Sequence, residues 1–444
     1  MKPVLPGLQK GNRLINIVTL GCSKNTVDSE KLLRQIKAAG YSVAYDPMAE
    51  NADTVIINTC GFINDAKEES IDTILRFVKA GREGRIRKLY VMGCLSERYR
   101  DELIKEIPEV DRYFGVNSMR EILDELETKT RPELLSDRVL TGPSHYAYLK
   151  VSEGCDRKCA FCAIPLIRGK HVSRKMEDII GEAEILARQG VRELILIAQD
   201  LSYYGLDLYG KRELPRLLSG LLSIDAFEWI RLHYLYPAGF PKPLISLMRD
   251  NPKICSYIDI PIQHISGRML KIMKRSHDAA ATRDLLHGIR RDYPEAAVRT
   301  TLIAGHPGET EADYLELRDF VSEYRFDRLG VFAYSHEEGT WSGDKYPDDV
   351  PDDIKESRVS ELMAIQQSIS AELNESKTGR VLKTVIDRRE GAYYVGRTEY
   401  DSPEVDNEVL INSEKELIPG SFYRIHITGA AEFDLFGTPA EDSL

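Results

Sequence analysis

Three cysteines fall within eight positions, in the run Glu153-Gly154-Cys155-Asp156-Arg157-Lys158-Cys159-Ala160-Phe161-Cys162. This C-x3-C-x2-C spacing follows directly on the apolar run YAYLKVS, so the fold has to present three thiols on one short loop at the end of a strand. Three thiolates so placed can cap three irons of a four-iron cluster and leave the fourth iron open, unlike the four-cysteine ferredoxin pattern. The alternative is structural zinc, which takes four ligands from C-x2-C or Cys/His pairs. Here the nearest histidine, His171, stands nine residues past Cys162, an unusual spacing for that purpose.

The surrounding sequence supports a barrel. Six runs have strand character: YAYLKVS, ELILIAQ, WIRLHYLY, SYIDIPI, AVRTTLIAG and RLGVFAY. Helical patterns such as MEDIIGEAEILARQG and EADYLELRDFVSEY lie between most of them, which predicts a partial (βα)6 barrel rather than the usual eight units. In such folds the loops at the carboxyl ends of the strands carry the site. The cysteine loop is one of these. Others hold Gln199 and Asp200, Gln263 with His264, and Gly305 within TLIAGHPGE.

Ahead of the barrel, to about Leu140, the apolar runs LINIVTL, DTVIINT and KLYVMG alternate with amphipathic stretches ended by glycine. This is an α/β doubly wound pattern with a parallel sheet. Cys22, Cys60 and Cys94 each end one of these runs beside a glycine, and neighbouring parallel strands bring such ends to one edge. A second metal cluster with three thiol ligands is expected there. Cys255, at the start of SYIDIPI, has no such setting and reads as core. The stretch ETKTRPELLSDRVLTGPS loses periodicity and reads as a linker. From about Ser376 the runs RVLKTVIDRRE, AYYVGRTEY, NEVLINS and FYRIHITGA predict a small five-stranded barrel of oligonucleotide-binding type, with Asp401-Ser402-Pro403-Glu404 as an ordinary exposed turn.

Charge and cysteine usage bound the setting. Seven cysteines, an odd number, suit metal ligands in a reducing compartment better than disulfides. The N-terminus lacks the apolar run of a signal peptide and no stretch is long enough for a membrane span, so a cytoplasmic protein is expected. The net charge is −11, and residues 371–444 hold 8 Lys+Arg against 15 Asp+Glu, a net of −7. Such a segment repels phosphates and attracts a basic partner.

The central cysteine motif resembles the radical S-adenosylmethionine (SAM) superfamily. The whole arrangement resembles the methylthiotransferase family within it, whose members join such an N-terminal domain, a radical SAM barrel and a small TRAM barrel. The expected divisions are 12–130, 141–372 and 375–442. The motifs Leu20-Gly21-Cys22-Ser23-Lys24-Asn25, Asn58-Thr59-Cys60-Gly61-Phe62, Gly93-Cys94-Leu95-Ser96-Glu97 and Lys150-Val151-Ser152-Glu153-Gly154-Cys155 look like the RimO branch. The departures are Ser23, where proline is frequent, and His306, where phenylalanine is usual.

The resemblance implies two 4Fe-4S clusters, on Cys22, Cys60 and Cys94 and on Cys155, Cys159 and Cys162. It also implies SAM as co-substrate, chelated at the open iron of the central cluster, with Phe161 near the adenine and Gln199, Asp200, Gln263 and Gly305 as further contacts. One SAM would donate a methyl group to sulfur at the N-terminal cluster. A second, cleaved at the central cluster, would give the radical that removes a β-hydrogen from an aspartate of ribosomal protein S-twelve, which then takes the methylthio group. Implied partners are that basic protein, on or near the small ribosomal subunit, and an electron donor such as a flavodoxin or ferredoxin. The rival within the family modifies an adenosine of transfer RNA, and the acidic C-terminal segment argues against direct RNA binding. A rival of another class is an iron–sulfur electron carrier or scaffold, which needs no barrel with a SAM-sized cavity.

Overall fold

The run Ala52–Thr59 is buried along nearly its whole length, because helices cover both faces of the sheet it centres. In the computed structural model this strand, β3, lies between β1 (Leu14–Thr19) and β4 (Ile86–Gly93), with β2 (Ser42–Ala44) and β5 (Arg112–Tyr113) at the edges. All pairings in the order β2-β1-β3-β4-β5 are parallel. Helix α1 (Ser23–Ala38) follows β1, α2 (Asn64–Arg82) follows β3, and the short α3 (Cys94–Arg98) follows β4. One apolar cluster, with Val55, Ile57 and Phe77, fills one side of the sheet; another, with Ile17, Leu33 and Ile56, fills the other.

The structure describes residues 13–441. The first twelve residues, read above for a signal peptide, and position 442 lie outside them. The described residues divide into two compact units: 13–142 with 163–170, and 143–162 with 171–441.

The stretch expected to be a linker docks on α1 of the first unit instead. Arg138 is 2% exposed and pairs with Glu30 at 3.0 Å. Gln35 donates to the Arg131 carbonyl at 2.9 Å, and Arg34 pairs with Asp137 at 2.5 Å. The segment lacks periodicity because side-chain ion pairs hold it, and these leave no hydrophobic repeat to read.

In the second unit, β6 (Tyr146–Lys150), β9 (Glu193–Ile197) and β10 (Trp229–Leu232) form one parallel sheet, and β11 (Tyr257–Asp259), β12 (Ala297–Ala304) and β13 (Arg328–Ala333) form another. A parallel bridge between Ile230 and Ile254 joins the two into the six-strand partial barrel. Between β6 and β9, the short hairpin of β7 (Ser152–Glu153) and β8 (Val172–Ser173) brackets the cysteine loop.

A 24-residue helix, Asp352–Glu375, leads to the closed barrel of β14 (Val381–Glu390), β15 (Tyr393–Thr398), β16 (Glu408–Ile411), β17 (Phe422–Ala430) and β18 (Asp434–Pro439). Strand β18, DLFGTP, has no alternation long enough to read from the sequence, and its parallel pairing with β16 closes the barrel.

The turn at 401–404 departs from expectation. Asp401, Ser402 and Pro403 are buried, and only Glu404 is exposed. Asp401 takes the guanidinium of Arg328, Ser402 meets His233 Nε2 at 2.8 Å, and Tyr257 donates to Asp406 at 2.7 Å. The segment is therefore a latch from the small barrel onto strands of the larger one. Among the described residues, no helix is long and apolar enough to cross a membrane.

Candidate functional site

Cys22, Cys60 and Cys94 stand at the carboxyl ends of β1, β3 and β4, neighbours in the sheet. Glycines let the loops close on one another. Gly21 has φ +87°, and a Cβ there would lie 2.7 Å from the Cys60 Cβ and 3.0 Å from its Sγ. A Cβ on Gly61 would lie 2.7 Å from the Leu95 backbone. Asn25, fully buried, ties two of the loops by donating to the carbonyls of Leu20, at 2.9 Å, and Thr59, at 3.1 Å. Ser70 fixes the backbone of Cys60, accepting from its N–H at 3.1 Å.

Burial pushes the Cys94 thiol up to about 11, with Arg168 beside it pulling the other way and ionisation of Cys22 and Cys60 adding to the rise. Burial raises the Cys60 thiol as well, and Cys22 contributes. The three thiols are close enough to feel one another's charge. At neutral pH the Cys60 and Cys94 thiols are therefore protonated, so metal that binds there displaces protons.

The second trio sits where the sequence placed it, on the loop after β6. The backbone N of Arg157 lies 3.4 Å from Cys155 Sγ, and Cys162 N bonds to the Cys159 carbonyl at 3.2 Å. Arg275 donates to Cys159 Sγ at 3.2 Å, and Tyr236 Oη lies 3.8 Å from the same sulfur. The Arg157 and Arg275 guanidiniums lie over the Tyr236 ring, at 3.9 and 4.2 Å. Burial pushes the Cys155 thiol up to about 11. All seven cysteines are free. Among the described residues, no three of His, Cys, Asp and Glu gather tightly enough for a single metal ion. Thiols around a four-iron cluster do not need to, since irons and sulfides stand between them.

The other strand-end residues have distinct settings. Gln199 donates to Glu153 at 2.8 Å, while its Oε1 is buried with no partner, as is the Ser152 hydroxyl. Such orphaned atoms at a strand end fit a polar ligand. Asp200 is buried, and its oxygens are taken by Arg157 at 2.8 Å and Ser202 at 2.5 Å, so its influence passes through Arg157. Gln263 turns with φ +70° while its backbone bridges to β12. Gly305, at φ +76°, donates its N–H to Glu309. Phe161 is half-buried and meets His306 edge-on at 6.4 Å. His171 is occupied elsewhere, 3.0 Å from Ser173 Oγ. Cys255, 1% exposed, packs in the core with Trp229, Tyr257 and Val385.

Three family models match in order along the chain: Uncharacterized protein family UPF0004 over residues 14–115, Radical SAM superfamily over 149–321, and TRAM domain over 378–439. A relative from Phocaeicola vulgatus, named ribosomal protein uS12 methylthiotransferase RimO, is 52% identical over 96% of this chain and 98% of its own length. Another of that name from Bacteroides thetaiotaomicron is 54% identical over 95% and 97%. The chain belongs to the RimO family of radical SAM methylthiotransferases.

Membership in this enzyme family agrees with the folds of solved structures. The radical SAM methyltransferase TsrM from Kitasatospora setae, solved with cobalamin and a [4Fe-4S] cluster, matches with TM-score 0.53 and 13% identity, over 74% of this chain and 77% of its own. That likeness is one of fold alone. Against the family frame, sequence reasoning missed Asn25, Ser70, Arg157, Arg168, Tyr236 and Arg275, which surround the thiols. Arg168 left a signal, as the one charge in the apolar run Ala163-Ile164-Pro165-Leu166-Ile167 before Gly169. Tyr236 and Arg275 left none, because they approach Cys159 from two other loops, whereas Arg157 stands within the cysteine motif itself.

Proposed function

We propose that this chain transfers a methylthio group to the β-carbon of an aspartate in the ribosomal protein uS12. The observation that carries the reading is the pair of free-cysteine trios at strand ends, in a chain matched almost end to end by uS12 methylthiotransferases. Cys155, Cys159 and Cys162 would hold one 4Fe-4S cluster and Cys22, Cys60 and Cys94 another. Bound there, the clusters with SAM supply one-electron cleavage and a carrier for sulfur. The chain's own residues position and shield. Arg275 donates to the Cys159 sulfur, and Tyr236 closes over it. The orphaned Gln199 Oε1, the half-buried Phe161 ring, Gln263 and Gly305 would receive SAM, and Asp200 would orient Arg157 at the rim. Hydrogen abstraction needs no protein acid or base, so placement and exclusion of water are the protein's part.

In this reading the divisions are 12–130 for sulfur chemistry, 141–372 for SAM and 375–442 for the TRAM barrel, in a cytoplasmic enzyme served by a flavodoxin or ferredoxin. The test is anaerobic incubation with a ribosomal fraction, SAM and reductant, followed by mass spectrometry of proteins and transfer RNA. Methylthiolated uS12 supports the proposal. Methylthiolated adenosine with unmodified uS12 moves the chain to the transfer-RNA reaction, and absence of SAM cleavage leaves an electron carrier. Reconstituted protein should hold about eight irons. Replacing either cysteine trio with alanine should halve that content.

A further inference from the structure

Arg168 ends the short helix Ile164–Arg168, six residues past Cys162, yet it packs in the first unit and its side chain is 2% exposed. Its Nη1 donates to Asp28 at 3.0 Å. Its Nη2 donates to Asn25 Oδ1 at 2.5 Å and lies 3.5 Å from Cys94 Sγ. A buried guanidinium is costly unless its donors are met. A neutral thiol is a weak acceptor, whereas a metal-bound thiolate carries charge and accepts well. Asn25 already fastens the loops that precede Cys22 and Cys60, through Leu20 and Thr59. Arg168 holds Asn25 and the Cys94 sulfur together, which extends that clamp to the third loop.

We infer that Arg168 is the positioning residue of the N-terminal cluster, donating through Nη2 to the Cys94 thiolate and setting the cluster's reduction potential with its charge. This rests on the proposal that Cys22, Cys60 and Cys94 hold an iron–sulfur cluster. A cation and a hydrogen bond at a ligand sulfur favour the reduced, more negative cluster and so raise its potential. Asp28 works against this, since its carboxylate partly cancels the guanidinium. The two residues therefore have opposite expected effects, which a general loss of structure would not reproduce.

The test uses the full chain with Cys155, Cys159 and Cys162 replaced by alanine, so that only the N-terminal cluster is seen. Iron content and the midpoint potential, followed by electron paramagnetic resonance, are measured after anaerobic reconstitution. Arg168→Gln should lower the potential by roughly a tenfold change in the reduction equilibrium, about 59 mV for one electron. Arg168→Lys should recover part of that shift, and Asp28→Asn should raise the potential above the parent. A parent chain that takes up no iron overturns the cluster reading itself. Iron bound with a potential unmoved by Arg168→Gln overturns the role of Arg168 alone. If Arg168→Gln binds no iron, Asp28→Asn decides: a raised potential upholds the inference, and an unmoved or lowered one overturns it.

Discussion

Gly21 shows how much a single residue governs at the N-terminal site. Its φ of +87° lies in the left-handed region, and any Cβ would press on the Cys60 side chain. Gly21→Ala therefore faces about 1–2 kcal/mol of backbone strain together with displacement of the Cys60 side chain. The expected result is loss of about half the reconstituted iron with SAM cleavage at the central site retained, read by iron assay and 5′-deoxyadenosine release. His306 offers a second test. Burial drives its pKa down to about 4, below the unfolded value of about 6.5. Between those values the unfolded chain binds the proton and the folded chain does not, so stability falls as pH drops through the window. The loss by pH 4.5 is roughly 2–3 kcal/mol. His306→Phe removes that slope, although Ser342, 2.8 Å from His306 Nε2, then loses a partner at a cost of about 1–3 kcal/mol at pH 7. Urea melts at pH 7 and pH 4.5 should show a smaller difference in the variant than in the parent.

At the scale of elements, the longer parallel strands were legible because each is an apolar run ended by glycine or a polar turn, and burial on both faces needs just that composition, whereas the two- and three-residue edge strands β5 and β2 were not. Strand β18 and the latch at 398–406 were not, since neighbours supply what their own sequences lack. Asp401 is buried because Arg328 comes to meet it, and a sequence read locally shows only a charged turn. The pair gives a sharp expectation. Arg328→Met strands the Asp401 carboxylate and should cost about 3–5 kcal/mol in a urea melt. Replacing Arg328 and Asp401 together, by Met and Leu, should recover most of that loss. Equal destabilisation in the double variant would show that the latch acts through something other than this pair.

Over the whole molecule, the structure changes the meaning of the acidic C-terminal segment. Its excess of Asp and Glu reads as a surface for a basic partner, but part of it is used inside the second unit. Asp387 binds Arg397 at 2.6 Å and His145 at 2.7 Å, Arg397 reaches Glu193 at 2.8 Å, and Arg231 pairs with Glu193 at 2.7 Å. Arg388 is forked onto Glu408. Removing residues 376–444 would therefore leave Arg231, Arg328 and Glu193 buried and short of partners. The truncated chain should lose its cooperative melt and its SAM cleavage together. Retention of cleavage would show that the larger barrel stands without the smaller one. Docking of uS12 is then better sought at Glu414, Glu416 and Glu432, which are exposed. Their conversion to Gln should weaken binding about threefold to tenfold and flatten its salt dependence.

The amino-acid sequence by itself determined where the thiols gather and the class of each layer. Cysteine spacing on one loop is local, and so is the apolar periodicity that separates parallel strands from helices and from a small barrel. The tertiary structure alone decided what surrounds the thiols and what joins the barrels. Arg168 to Cys94, Arg275 to Cys159 and Arg328 to Asp401 are contacts between residues more than seventy positions apart. Such pairs carry no periodic signal, because a buried charge is stable wherever the fold brings its partner and the chain between them is free to vary.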